Sequence, residues 1–178
     1  MLCLTLVLHV YAITRSNIAV SALVLFFQMP QLLLSLFAGV FVDRFEKKGV
    51  LFFTNIVRGL TLVPLIFLKS ELVVLYGGAL LVATATQFFV PAEAPMIPKF
   101  IKKRLLLPAN SLFTVTLYGS IFVGYIMAGP MLKYFGITTS LLTIAVFFAI
   151  ASLLNVLLPG RNDSVLLKKQ IQALSNAT

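Results

Sequence analysis

An all-α, polytopic membrane protein with six transmembrane helices is the fold class predicted here, on three observations. The chain is 60% hydrophobic and only 11% charged, with a mean hydropathy of +1.06, whereas a soluble domain has about 25% charged residues. Apolar runs long enough to cross a bilayer recur along it, and the charges collect between those runs. The run 18–42, for example, carries no formal charge. About 20 residues rising about 1.5 Å each traverse a hydrocarbon core of about 30 Å. Helices are required, because a helical segment satisfies its own backbone donors and acceptors in lipid and an open strand cannot.

The expected spans are 1–14, 18–42, 49–68, 72–90, 110–132 and 137–158. The first reaches only about 21 Å by helical rise, so it is expected to be a truncated helix that Met1 enters partway. A signal peptide is disfavoured there: no positive charge precedes the apolar run, and the cleavage-like Val20-Ser21-Ala22 lies inside the next span. Cys3 is the single cysteine, which leaves no disulfide framework or thiolate metal site. His9 titrates near neutral pH if unperturbed, but a lone histidine without a relay partner reads first as a packed helix contact.

In the second span Gln28 and Gln31 flank Pro30, and in the fourth Thr84, Thr86 and Gln87 cluster. Polar side chains in lipid pair across helices or face water, so these residues mark inward faces; interhelical hydrogen bonding and cavity lining are both open to them. The third span holds Pro64 and Arg58, the latter about 13 Å in. Arg58 must snorkel, pair or bind an anion. Ser120, Gly124 and Ala128 recur every four residues along the fifth span and offer a flat packing seam. No carboxylate lies in any span core.

The connections sort by charge. Arg44, Lys47 and Lys48 occupy the second loop, Lys99, Lys102, Lys103 and Arg104 the fourth, and Arg161, Lys168 and Lys169 the tail 159–178. The first, third and fifth loops hold only Arg15, Lys69 and Lys133 as cations. By the positive-inside rule the second and fourth loops and the C-terminal tail are cytoplasmic, in a multi-pass protein of the plasma (inner) membrane. The net charge of +9 is thus a matter of topology; without a basic stripe or aromatic platforms, nucleic acid is excluded as a partner. In the fourth loop Pro91, Pro95 and Pro98 are expected to end the fourth span. Large apolar residues then alternate with the basic cluster, predicting an interfacial helix at about 96–107. Pro108 should close it, and Asn110 or Ser111 should cap the fifth span.

The charged hinge within 38–51 organises the rest. Its opening, AGVFVDRF at 38–45, can be laid over AGPMLKYF at 128–135, matching the ends of spans two and five. Six spans related in that way form two three-helix repeats, the second inverted. Gly39-x3-Asp43-Arg44-x2-Lys47-Lys48 resembles the loop signature between helices two and three of the major facilitator superfamily, with Glu46 in place of its second glycine. The segment around PAEAPMIPKF and LLLPANSL is similar to the corresponding region in the branch of enterobactin and macrolide exporters. The resemblance implies a six-helix half of a twelve-helix transporter, lacking the start of helix one and the C-terminal half.

It also implies roles. The aspartate matching Asp43 holds a helix terminus of the other half, as a carboxylate at a helix N-terminus does. Arg44 would meet Glu93, Gly39 would permit close helix contact, and Asp43, Arg44, Lys48 and Glu93, with Lys47 beside them, would form a gating charge relay. His9, Gln28, Gln31, Arg58, Thr84 and Gln87 are the candidates to line the cavity. The implied activity is secondary transport by alternating access, exporting a small amphipathic molecule as an efflux permease or antiporter, with no cofactor or metal. Its partners are the lipid bilayer, a small-molecule substrate, and the absent six-helix half or a second copy. The rival reading is a non-transporting remnant, a half-size dimeric transporter, or a scaffold dimerising through the 120–128 seam. An enzyme is not expected: HExxH, a phosphate-cradling glycine loop and a nucleophile triad are all absent from the sequence.

Overall fold

A computed structural model describes residues 1–96 and 105–157, and among them the secondary structure is entirely helical. The helices are α1 (Leu2–Thr14), α2 (Asn17–Asp43), α3 (Lys47–Phe67), α4 (Leu72–Glu93) and α5 (Leu106–Leu157), with a 3-10 turn at Ala94–Met96. Helices α2 to α5 are each long and apolar enough to cross a membrane; α1, at 13 residues, is shorter.

Connections are tight because local chemistry ends each helix. Arg15 closes α1 in the left-handed conformation (φ 52°), donating its N–H to the Tyr11 carbonyl at 2.9 Å. Ser16 then caps α2 by accepting from the Ala19 N–H at 3.4 Å. Two residues thus reverse the chain.

Five α-helices stand where six were expected. The fifth and sixth expected spans fall in one 52-residue helical stretch, broken at Gly136 by non-helical dihedrals of φ 76° and ψ 173°. Only glycine adopts that region readily, so a single residue reverses the chain without a loop. The limbs 106–135 and 137–157 are therefore treated as two halves of α5. Two boundaries also differ from expectation. Helix α4 continues through Pro91 to Glu93, and α5 starts at Leu106, ahead of Pro108. A proline in the first turn sits where the N–H has no intrahelical acceptor, so Pro108 opens this helix instead of closing another. Ser111 is no cap either; its hydroxyl donates to the Leu107 carbonyl at 3.1 Å. The expected interfacial helix lies outside the described residues, except that Met96 ends the 3-10 turn and Leu106 and Leu107 begin α5. The tail 159–178 also lies outside them.

Helices α2 and α4 run parallel: the Tyr76 hydroxyl donates to the Ala19 carbonyl at 3.0 Å near one end, and the Phe41 and Phe88 rings meet edge-on at 5.6 Å near the other. Helix α3 runs antiparallel to the limb 137–157. Lys69 Nζ donates to Thr138 Oγ1 at 3.0 Å, a Cβ on Gly59 would lie 3.9 Å from the Phe148 Cβ, and Lys48 Nζ donates to the Val156 carbonyl at 2.9 Å. The bundle consequently has a hinge end, with 43–47, Glu93 and Leu157, and an opposite end, with Arg15, 68–71 and Gly136. The main core lies toward the opposite end, where Leu6, Leu23, Leu62, Leu65, Leu75 and Leu141 are fully buried. A smaller cluster of Val42, Leu51 and Ala92 joins α2, α3 and α4 at the hinge end.

Candidate functional site

Most polar side chains inside the bundle satisfy themselves within their own helix. The hydroxyls of Thr54, Thr61, Thr84 and Thr86 donate to carbonyls one turn back at 2.7–2.8 Å. A hydroxyl engaged in this way needs neither a neighbour nor a ligand. Arg58 and Asn55 differ. Arg58 is 7% exposed and Asn55 3%. The one hydrogen bond between them runs from an Arg58 terminal amine to Asn55 Oδ1, long at 3.4 Å, while Arg58 Nε and Asn55 Nδ2 lack an acceptor.

The arginine is held by aromatic faces. Its guanidinium carbon lies 4.4 Å from the Phe89 ring centroid on α4 and 5.8 Å from that of Phe148 on α5. Both are within cation–π range, and desolvation strengthens such contacts. Glu93, half-buried at the last turn of α4, is the carboxylate coupled electrostatically to Arg58. A buried cation, two rings and a carboxylate from three helices therefore converge on the hinge end.

Around this cluster the loop charges are more solvated. Lys47 pairs with Asp43 at 3.5 Å, one helical turn apart, with Asp43 74% exposed. Arg44 is exposed. Lys48 ties the first turn of α3 to the last turn of α5 through the Val156 carbonyl, a favourable place for a cation at a helix C-terminus. In the wedge between α2 and α3, floored by α4, lies an apolar cavity of about 590 Å³ lined by residues that include Phe41, Phe53, Val57, Thr84 and Phe88, with Glu46 contributing.

The expected site residues distribute unevenly. Asp43, Arg44, Lys47, Lys48 and Glu93 share the hinge end, since Val42 and Ala92, their immediate neighbours, pack in one cluster. Arg58, from the cavity-lining set, approaches this group through Phe89, one turn before Glu93, and among the described residues no ion pair joins Glu93 to Arg58 or to Arg44. Gly39 makes no close approach among the described residues, for a Cβ there would meet nothing within 4 Å. Gln28 and Gln31 are exposed, Gln87 is partly buried, and only Thr84 of that set lines the cavity. His9 reaches a connection and not a helix: its Nε2 lies 3.0 Å from the Lys69 carbonyl oxygen between α3 and α4, which can only accept, so Nε2 carries the proton. Along the seam, Ala128 is buried, Gly124 faces Met1 of the same chain with a Cβ distance of 3.4 Å, and Ser120 is exposed.

Asn55, Phe89 and Phe148 were not singled out by sequence reasoning. Asn55 had a usable signal, standing three residues before the charged Arg58 and so on the same helical face. Among the described residues no group of three or more His, Cys, Asp or Glu side chains is placed to hold a metal ion.

A sequence profile described as the Major Facilitator Superfamily matches residues 1–173. YfiS of Bacillus subtilis (strain 168), described as an uncharacterized MFS-type transporter, is 25% identical over 132 residues, covering 74% of this chain and 31% of that relative. The chain thus spans well under half the length of the relative it matches. No solved structure gives a significant match.

Proposed function

The chain belongs to the major facilitator superfamily, a family of membrane transporters and not of enzymes, and from that premise we propose that it forms a six-span transport domain gated at its hinge end. The observation that carries the reading is the gathering of Asp43, Arg44, Lys47, Lys48 and Glu93 at one end of the bundle, with the buried Arg58 at the middle of α3 stacked on Phe89 one turn before Glu93. Charges concentrated at that rim provide contacts that can be made and broken as a cavity opens and closes, while the apolar core toward the other end stays packed.

The packing pattern supports two inverted three-helix repeats. Counting the limbs of α5 as spans five and six, an exchange of spans one to three with four to six carries the α2–α4 seam onto the contact of Gly124 with α1. The same exchange carries the seam between α3 and 137–157 onto itself. The hinge end is assigned to the cytoplasm by its basic loops. A second six-helix half, or a second copy, would complete the pathway, and the branch resemblance favours export of a small amphipathic compound. The scaffold reading loses support, because α1 already covers the middle of the 120–128 seam.

The test is uptake and efflux of a panel of small amphipathic compounds in proteoliposomes containing the full-length protein that carries this sequence, with and without a proton gradient. Asp43→Asn is expected to lower turnover about tenfold, the equivalent of one charge–helix-terminus contact. Unchanged turnover would remove the gate.

A further inference from the structure

We propose that Arg58 is a positioning residue for Glu93: with Asn55 it forms a buried donor pair on α3 that receives the Glu93 carboxylate and so sets where the last turn of α4 stands.

Arg58 Nε and Asn55 Nδ2 are both donors, both buried, and both without an acceptor. Leaving such groups bare is expensive, and two neighbouring donors are best satisfied together by the two oxygens of a carboxylate. Among the described residues the hinge end offers Asp43, Glu46 and Glu93. Asp43 is engaged by Lys47, and Glu46 stands at the start of α3, on the apolar cavity. Glu93 stands one turn beyond Phe89, whose ring centroid lies 4.4 Å from the Arg58 guanidinium carbon, and among the described residues no ion pair within 4 Å joins Glu93 to Arg58. The carboxylate is therefore near its receptor without being seated in it.

The last turn of α4 is built to move that distance. Pro91 has no N–H to give to the Gln87 carbonyl, so the helix loses a rung one turn before its end. Beyond Glu93 the chain tightens into the 3-10 turn Ala94–Met96. Phe89, a turn before Glu93, already rests on the guanidinium, which keeps the approach aligned. Seating Glu93 would draw the end of α4 toward α3 and the limb 137–157; releasing it would free that last turn. This deepens the gate proposed above, and its test reads local opening rather than transport, so the two can fail separately.

The experiment is hydrogen–deuterium exchange of the intact chain in lipid nanodiscs, reading amides 88–94 against amides 61–66 of α3. Glu93→Gln is expected to speed exchange of 88–94 about tenfold, as loss of one charged hydrogen bond would, and to leave 61–66 unchanged. Asn55→Asp, nearly isosteric, places a rival carboxylate on Arg58 and is expected to loosen 88–94 likewise while the bundle stays folded. The exchange Arg58→Glu with Glu93→Arg is expected to restore protection relative to Arg58→Glu alone. If Asn55→Asp or Glu93→Gln leaves 88–94 as protected as before, or if the double exchange is no better than Arg58→Glu, the assignment is wrong. Satisfaction of the donors by water alone would produce that result.

Discussion

The two ends of α3 are built on different principles. Toward the opposite end its side chains are leucines in close contact: Leu62 and Leu65 are fully buried, and Leu65 packs so tightly on Gly78 of α4 that a Cβ there would lie 2.9 Å from both Leu65 methyls. Toward the hinge end the same helix carries Asn55 and Arg58, with donors unsatisfied and aromatic rings standing in for an ion pair. A close-packed apolar seam has one arrangement, since separating it opens a void. A partly satisfied polar cluster has an alternative arrangement available, in which the missing acceptor arrives. The comparison assigns rigidity to one end of the bundle and conformational choice to the other.

The largest effect should come from breaking the rigid end. Gly78→Val is expected to destabilise the bundle by about 3 kcal/mol through overpacking against Leu65, measured by thermal unfolding in detergent, with Leu65→Ala recovering part of the loss. A neutral outcome would mean that the seam is not closely packed. Gly136→Ala, at the same end, should remove about 2 kcal/mol, because φ 76° with ψ 173° is a glycine region and the reversal between the limbs of α5 depends on it. Denaturant unfolding would measure it, and a change of a few tenths would show that another residue makes the turn.

At the hinge end the smallest effect is expected from the loop charges. Lys47→Ala removes a one-turn pair that is solvated on its Asp43 side, with Lys47 19% and Asp43 74% exposed, and should alter stability by about 0.4 kcal/mol, less in high salt. A loss several times larger would place Lys47 within the buried network and blur the contrast between rim and core.

Particular residues show how much was readable beforehand. The spans were legible, because crossing hydrocarbon imposes a length and excludes charge: 18–42 was expected and α2 spans Asn17–Asp43. The turn at Gly136 was not, since one glycine between apolar runs looks like any short loop. Pro91 and Pro108 misled for a related reason. Proline is read as a terminator, yet in a first turn, as at Pro108, it removes no hydrogen bond, and at Pro91 the loss of one rung leaves the helix running on to Glu93. The hinge end was legible as a place where Asp43, Arg44 and Glu93 gather, but the burial of Arg58 against Phe89, one turn before Glu93, was not.

By itself the chain's amino-acid order determined that this is a helical membrane protein, where its long apolar helices lie, and which connectors carry the cations, since each follows from transferring residues between water and lipid. Only the tertiary structure decided which faces meet. A span in lipid is apolar all the way round, so its periodicity conceals the side that packs. The meeting of Arg58 with Phe89 and Phe148 depends on the rotation of three helices about their axes, and that rotation is set by packing among neighbours distant in sequence.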